Sequence, residues 1–97
     1  MDNLDFDPEF DFSNLDAIKL NKRKISFTEI VSVFKNENSC WYNLDGFPLN
    51  EYFIKIIGFS SSFRFLLLAL NYQQGKIIFH QVEIANEEDI RKDYCGK

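Results

Sequence analysis

The run Phe63–Asn71, FRFLLLALN, is almost continuously apolar and constrains this chain more than any other stretch. Such a run is covered on both faces when it forms a strand, so it predicts the central, most buried strand of a sheet. Tyr52–Phe59 ahead of it is rich in aromatic and β-branched residues and reads as its neighbour, ended by Gly58 and Ser60-Ser61-Ser62. Tyr72-Gln73-Gln74-Gly75 reads as a compact hairpin loop, and Lys76–Ile84 as the next strand. Ser39–Asn43 is a shorter candidate, followed by turn signals at Asp45-Gly46 and Pro48. The connections are short, so the three or four strands should run antiparallel.

Helical signals flank this block. Ser26 can cap a helix with Glu29 three residues on to complete a capping box, and Ile25 and Ile30 are placed as a hydrophobic staple. Phe27, Ile30, Val31 and Phe34 then recur at helical spacing as one apolar face. A shorter helix is predicted before it, opening at a Ser13–Asp16 capping box, ending near Lys22, with Leu15 and Ile18 as its thin apolar face. Asn86 caps a last helix whose first turn holds Glu87, Glu88 and Asp89, where the helix dipole favours acids. Ile90 and Tyr94 would face inward. The expected fold is α+β: an antiparallel three- to four-stranded sheet with two N-terminal helices and one C-terminal helix.

Ninety-seven residues with 45% hydrophobic content and eleven Phe make one domain, spanning 1–97. The six-residue run Phe65–Leu70 is too short to cross a bilayer, and no signal peptide is read at the N-terminus, so a cytoplasmic protein is expected. Cys40 and Cys95 are expected as separate thiols. One His and no C-x-x-C argue against a structural zinc site, and no cofactor is predicted.

Charge is unevenly placed. The net charge is −4, yet Lys19, Lys22, Arg23 and Lys24 lie within six residues. Residues 1–12 are read as an extended or loose acidic arm, with the charge to fold back on these bases. Such a cluster is either a solvated helix face or a phosphate-binding surface.

Three stretches, ISFTEIVSVF (25–34), IIGFSSSFRFLLLAL (56–70) and EIANEEDIRKDY (83–94), together resemble the BrnT family of small ribonuclease toxins from type II toxin–antitoxin pairs. The family pattern has a Lys-His pair before an I-S-F-E-E helix. It continues with I-x-G-x-S and an Arg a few residues on, an apolar strand ending in Ile-Ser-Ala-Arg-x-Ala, and a helix containing Glu and Tyr. Lys22, Arg64, Ala85 and Tyr94 match this pattern, and Asp89 stands near its Glu. Arg23 stands where the pattern has His, Glu83 where it has the second Arg, and Gln81 where it has Ser. The resemblance implies a RelE-like fold and metal-independent cleavage of RNA. It also implies a BrnA-like antitoxin partner with a ribbon-helix-helix DNA-binding region.

Metal-free RNA cleavage needs a base for the 2′-OH, cations for the charged phosphorane and an acid for the leaving oxygen. Arg64, Lys22 and Arg23, with Lys19 and Lys24, are the phosphate-binding candidates; Arg64, Glu83 and Lys22 are the catalytic set. Asp89 and His80 are further base candidates, although His80 alternates with Ile78 and Val82 and so reads as a core residue. A hairpin turning at Gln73-Gln74 would set Arg64 opposite Glu83. That pair is either a base with its electrophilic partner or a structural ion pair in a silenced site. Trp41, Tyr42, Phe47 and Tyr52 are either base-stacking residues or core-edge and partner contacts. Two functions therefore stand at this level: an endoribonuclease toxin, or a catalytically inactive relative that binds a partner.

Overall fold

The computed structural model describes residues 8–43 and 52–94. The turn signals at Asp45-Gly46 and Pro48, Phe47, Cys95 and residues 1–7 of the acidic arm lie outside the described residues.

The chain runs β1 (Glu9–Asp11), α1 (Ala17–Arg23), α2 (Phe27–Lys35), β2 (Cys40–Asn43), β3 (Tyr52–Phe59), β4 (Phe65–Gln73), β5 (Lys76–Ile84) and α3 (Glu87–Asp89). A π-helical turn, Ile90–Tyr94, continues from α3. The α+β class is as expected, but the sheet is five-stranded and mixed, in the order β1-β5-β4-β3-β2. Strands β2 to β5 are antiparallel neighbours, whereas β1 lies parallel to β5, with Phe10 opposite Ile77. Short connections do enforce antiparallel pairing in the meander. They say nothing of a strand brought in from far upstream. Three residues with acids at both ends carry little strand signal. What draws them in is Phe10 and Phe12, whose rings pack on Phe79 at 6.0 and 5.2 Å.

Strand β4 occupies the centre, as its composition requires. Leu66, Leu68 and Leu70 are buried against the helical face with Ile30 and Val33 of α2, Leu20 of α1, and Ile56, Ile77 and Phe79. Phe65 and Leu67 point to the second face, where Cys40, Ile57 and Ala85 meet Ile90 and Tyr94. Ile90 and Tyr94 thus face inward as expected. Lys55 Nζ reaches Asp93 Oδ2 at 2.8 Å, and the Tyr42 hydroxyl donates to the Asp93 carbonyl, fastening the C-terminal turn to this face.

The helix caps fall partly where the sequence puts them. Ser26 Oγ accepts from Glu29 N at 3.1 Å, and Asn86 and Asp89 form a reciprocal capping box. Helix α1, however, is capped by Asp16, whose carboxylate accepts from Ile18 N and Lys19 N. Ser13 turns back instead, donating from its amide and hydroxyl to Asp11 Oδ1. Starting three residues later rotates the helix, so Leu20 is buried and Ile18 is 72% exposed.

The β4–β5 hairpin turns at Gln74-Gly75, with φ of 51° and 81°. Two left-handed residues give a type I′ turn, whose twist matches the flanking strands. Gln73 therefore pairs with Lys76, not Tyr72 with Gly75. A bulge follows: Leu70 faces Phe79, but Ala69 faces Gln81, so His80 is the extra residue.

Gly58 lies inside β3 rather than at its end. A Cβ there would stand 1.9 Å from Ser39 Oγ and 3.2 Å from Val33 Cγ1. Ser39 is itself held by donating to the Val33 carbonyl at 2.8 Å, so this contact has no slack. Gly58→Ala should destabilise the fold by roughly 1–3 kcal/mol through overpacking, read as a lower urea midpoint.

Candidate functional site

The end of α1, the start of α2 and the β3–β4 turn meet at Arg64. Lys24 adopts a left-handed conformation, φ 56°, and closes α1 by donating its N–H back to Asn21 O. This turn leaves the carbonyls of Arg23 and Lys24 facing Arg64. Nη1 donates to Arg23 O at 3.1 Å and Nη2 to Lys24 O at 2.9 Å. Nε and Nη2 also clasp Glu29 Oε2 and Oε1 at 2.7 and 2.8 Å. Four of the guanidinium's five N–H groups are thereby engaged.

Glu29 is 1% exposed and also accepts from Ser60 Oγ at 2.6 Å. Its carboxyl is held below the usual glutamate range, first by the Arg64 hydrogen bonds, against the opposing effect of burial. Arg64 is pushed up in turn by the same pair. Sequence reasoning assigned Glu29 only to the capping box. Its side chain does not reach back to the cap; it crosses to the sheet. The available signal was its place one turn before Val33, on the buried stripe of α2, where an acid needs a cationic partner.

Arg64 and Glu83 are not a pair. The shifted turn and the bulge set Glu83 opposite Leu67. Its carboxylate instead accepts from Gln81 Nε2 at 2.5 Å and lies 3.9 Å from Lys19 Nζ. The proposed catalytic set is therefore divided. Arg64 belongs to the helix junction and Glu83 to the open side of β5, beside α1. Lys22, Arg23 and Lys24 keep exposed side chains with no ion pair among the described residues. The cations lead up to Arg64, but they offer it carbonyl oxygens rather than an anion pocket.

His80 is not a core residue. The bulge breaks the alternation that would have aligned it with Val82, and it is exposed. Its Nε2 lies 2.5 Å from Oδ1 of buried Asn71, its Nδ1 3.4 Å from Asn14 Nδ2, and its ring 5.3 Å from that of Phe53. His80 and Gln81 face Asn14 and Lys19 across a groove of about 140 Å³. Asp89 is engaged in the α3 cap and takes no part in either cluster. Of the aromatic candidates, Tyr42 is fixed by Asp93, whereas Trp41 is 48% exposed. Among the described residues no group of three potential metal-binding side chains occurs, and no helix is long and apolar enough to cross a membrane.

No family model, curated protein or solved structure matches this chain.

The Glu29–Arg64 pair makes a prediction with a definite sign. Arg64→Ala leaves a buried carboxylate unpaired and should cost roughly 3–5 kcal/mol in urea unfolding at neutral pH. Because the folded carboxyl is depressed, its contribution is full above the ordinary glutamate range and is lost as pH falls through the folded value. Glu29→Gln should therefore flatten the acid slope of stability below the ordinary glutamate range.

Proposed function

We propose that this chain is a BrnT-like module that binds a protein partner and does not cleave RNA. One observation carries the reading: the Arg64 guanidinium, the cation expected on a scissile phosphate, is committed to Glu29 and to two main-chain carbonyls. A transition state stabilised by Arg64 would have to break the pair that joins α2 to the sheet. Glu83, the expected base, lies on another part of the molecule beside Lys19. The positions where the family pattern has His and a second Arg carry Arg23 and Glu83, in keeping with a site that has lost its chemistry. The partner on this reading is a BrnA-like antitoxin with a ribbon-helix-helix region, met through aromatic anchors such as Trp41.

A second reading, metal-independent endoribonuclease action, is favoured by the groove beside the β5 bulge. It gathers Lys19 and His80, with Glu83 at its margin, and so retains a cation and two titratable groups near one another.

Induced expression, with and without the neighbouring reading frame, followed by total RNA on a gel, separates the two. Intact RNA and unimpaired growth, together with a stable complex between this chain and the co-expressed product, are expected. Fragmented RNA that becomes intact in His80→Ala or Glu83→Ala would establish the second reading instead.

A further inference from the structure

Strand β5 is paired on its outer side for only part of its length. The parallel partner β1 runs beside Lys76 to Ile78 and then leaves, and among the described residues no strand takes its place beyond Ile78. On the inner side β5 stays paired with β4 as far as Ile84. The donation from Ala85 N to Phe65 O sets the phase of that ladder. Antiparallel pairs alternate between bonded and non-bonded, so Glu83 and Ala85 turn their main-chain groups towards β4, while Val82 and Ile84 turn theirs outwards. Val82 is buried, yet its outward N–H and C=O have no main-chain partner among the described residues. Buried main-chain polar groups need one.

Helix α1 flanks this open edge. Its lead-in and first turns face His80, Gln81 and Val82 across the groove of about 140 Å³. Lys19 Nζ stands 3.9 Å from Glu83. The last helical residue, Arg23, gives its carbonyl to Arg64, one position ahead of β4. A helix of seven residues rises about 10 Å, the span of about three strand residues. Lys19, Lys22 and Arg23 lie at i, i+3 and i+4 and so form one exposed stripe along it. Lys22 and Arg23 have no ion pair among the described residues. Two acids share this stretch: Asp16 is engaged on the amides of the α1 cap, and Glu83 accepts from Gln81.

These features together select the occupant. An edge that offers both N–H and C=O groups is completed by another extended main chain, which supplies acceptor and donor alike. A nucleic acid backbone would supply phosphate acceptors only and would bring them against Glu83. Three cations along the wall call for acidic side chains on the incoming segment.

We propose that a protein partner docks an acidic, extended segment on β5 beyond Ile78, pairing with the main chain of Val82 and Ile84 while its carboxylates meet Lys19, Lys22 and Arg23. This rests on the partner-binding reading above and adds a surface at the sheet edge opposite β2, the strand of Trp41.

Amide hydrogen exchange by NMR, on the full chain free and in complex with the co-expressed product of the neighbouring reading frame, tests it. The Val82 and Ile84 amides should slow about tenfold or more on complex formation, while Glu83 and Ala85, already bonded to β4, change less. Reversing Lys19, Lys22 and Arg23 to Glu should weaken the complex about tenfold or more. The milder pair Lys22→Gln and Arg23→Gln, at exposed side chains, should weaken it in the same direction with circular dichroism unchanged. A complex that leaves Val82 and Ile84 exchanging as in the free chain overturns the docking surface but not partner binding. So does a complex indifferent to both sets of charge changes. No complex at all overturns the partner reading and this surface with it. Slowing of the same two amides by oligouridylate in place of the protein would reassign the edge to RNA and overturn the peptide.

Discussion

The contact between Glu29 and Arg64 organises this molecule. It places a fully buried carboxylate against a guanidinium that is itself partly covered, and it does so across three chain segments. The acid comes from the first turn of α2. The base comes from the β3–β4 turn, just ahead of the central strand, and the remaining donors of that base close the end of α1. A buried ion pair adds little net stability over an apolar alternative, but once built it is costly to break. Its value here is specificity of position. It fixes how α1 leaves its last turn, how α2 enters, and where the β3–β4 turn sits.

That commitment shapes the chemistry left to the surface. A guanidinium with four hydrogen bonds to the protein is not a spare phosphate ligand. Lys22, Arg23 and Lys24 keep their charge in solvent, but without Arg64 as a convergent fourth group they form a patch rather than a pocket. The other polar cluster, around His80 and Lys19, owes its existence to the β5 bulge. The bulge pushes an imidazole out of the alternation and leaves it over Asn71, beside the helix. The two clusters are separate products of backbone geometry, and each takes one half of the residues expected to act together.

The same network explains why a bulky residue tolerates a left-handed backbone at the tip of a serine-rich turn. Ser60, Ser61 and Phe59 are all bonded to α2 or to its acid, so the loop is over-determined and Phe63 takes the conformation that closure leaves it. The polar interior and the exposed aromatic row are thus one construction, with hydrogen bonds inside holding rings outside.

The strands of the meander, the buried central position of β4, the Ser26 and Asn86 caps and the inward Ile90 and Tyr94 were all legible in the sequence. Each rests on local chemistry: alternation, apolar runs and capping side chains that act within a few residues. Tertiary structure decided the rest. The parallel β1 needed the ring contacts of Phe10 and Phe12 with Phe79, from the far end of the chain. The partner of Arg64 depended on register, and register depended on two backbone details, a type I′ turn at Gln74-Gly75 and one extra residue at His80. Each moves a pairing by one or two positions, which is invisible in composition yet enough to replace Glu83 with Glu29. Sequence alone determined that the apolar run beside Arg64 would form the central, most buried strand. Which carboxylate would meet that arginine was settled only when the segments closed on one another, because a buried charge takes the partner that packing brings within reach.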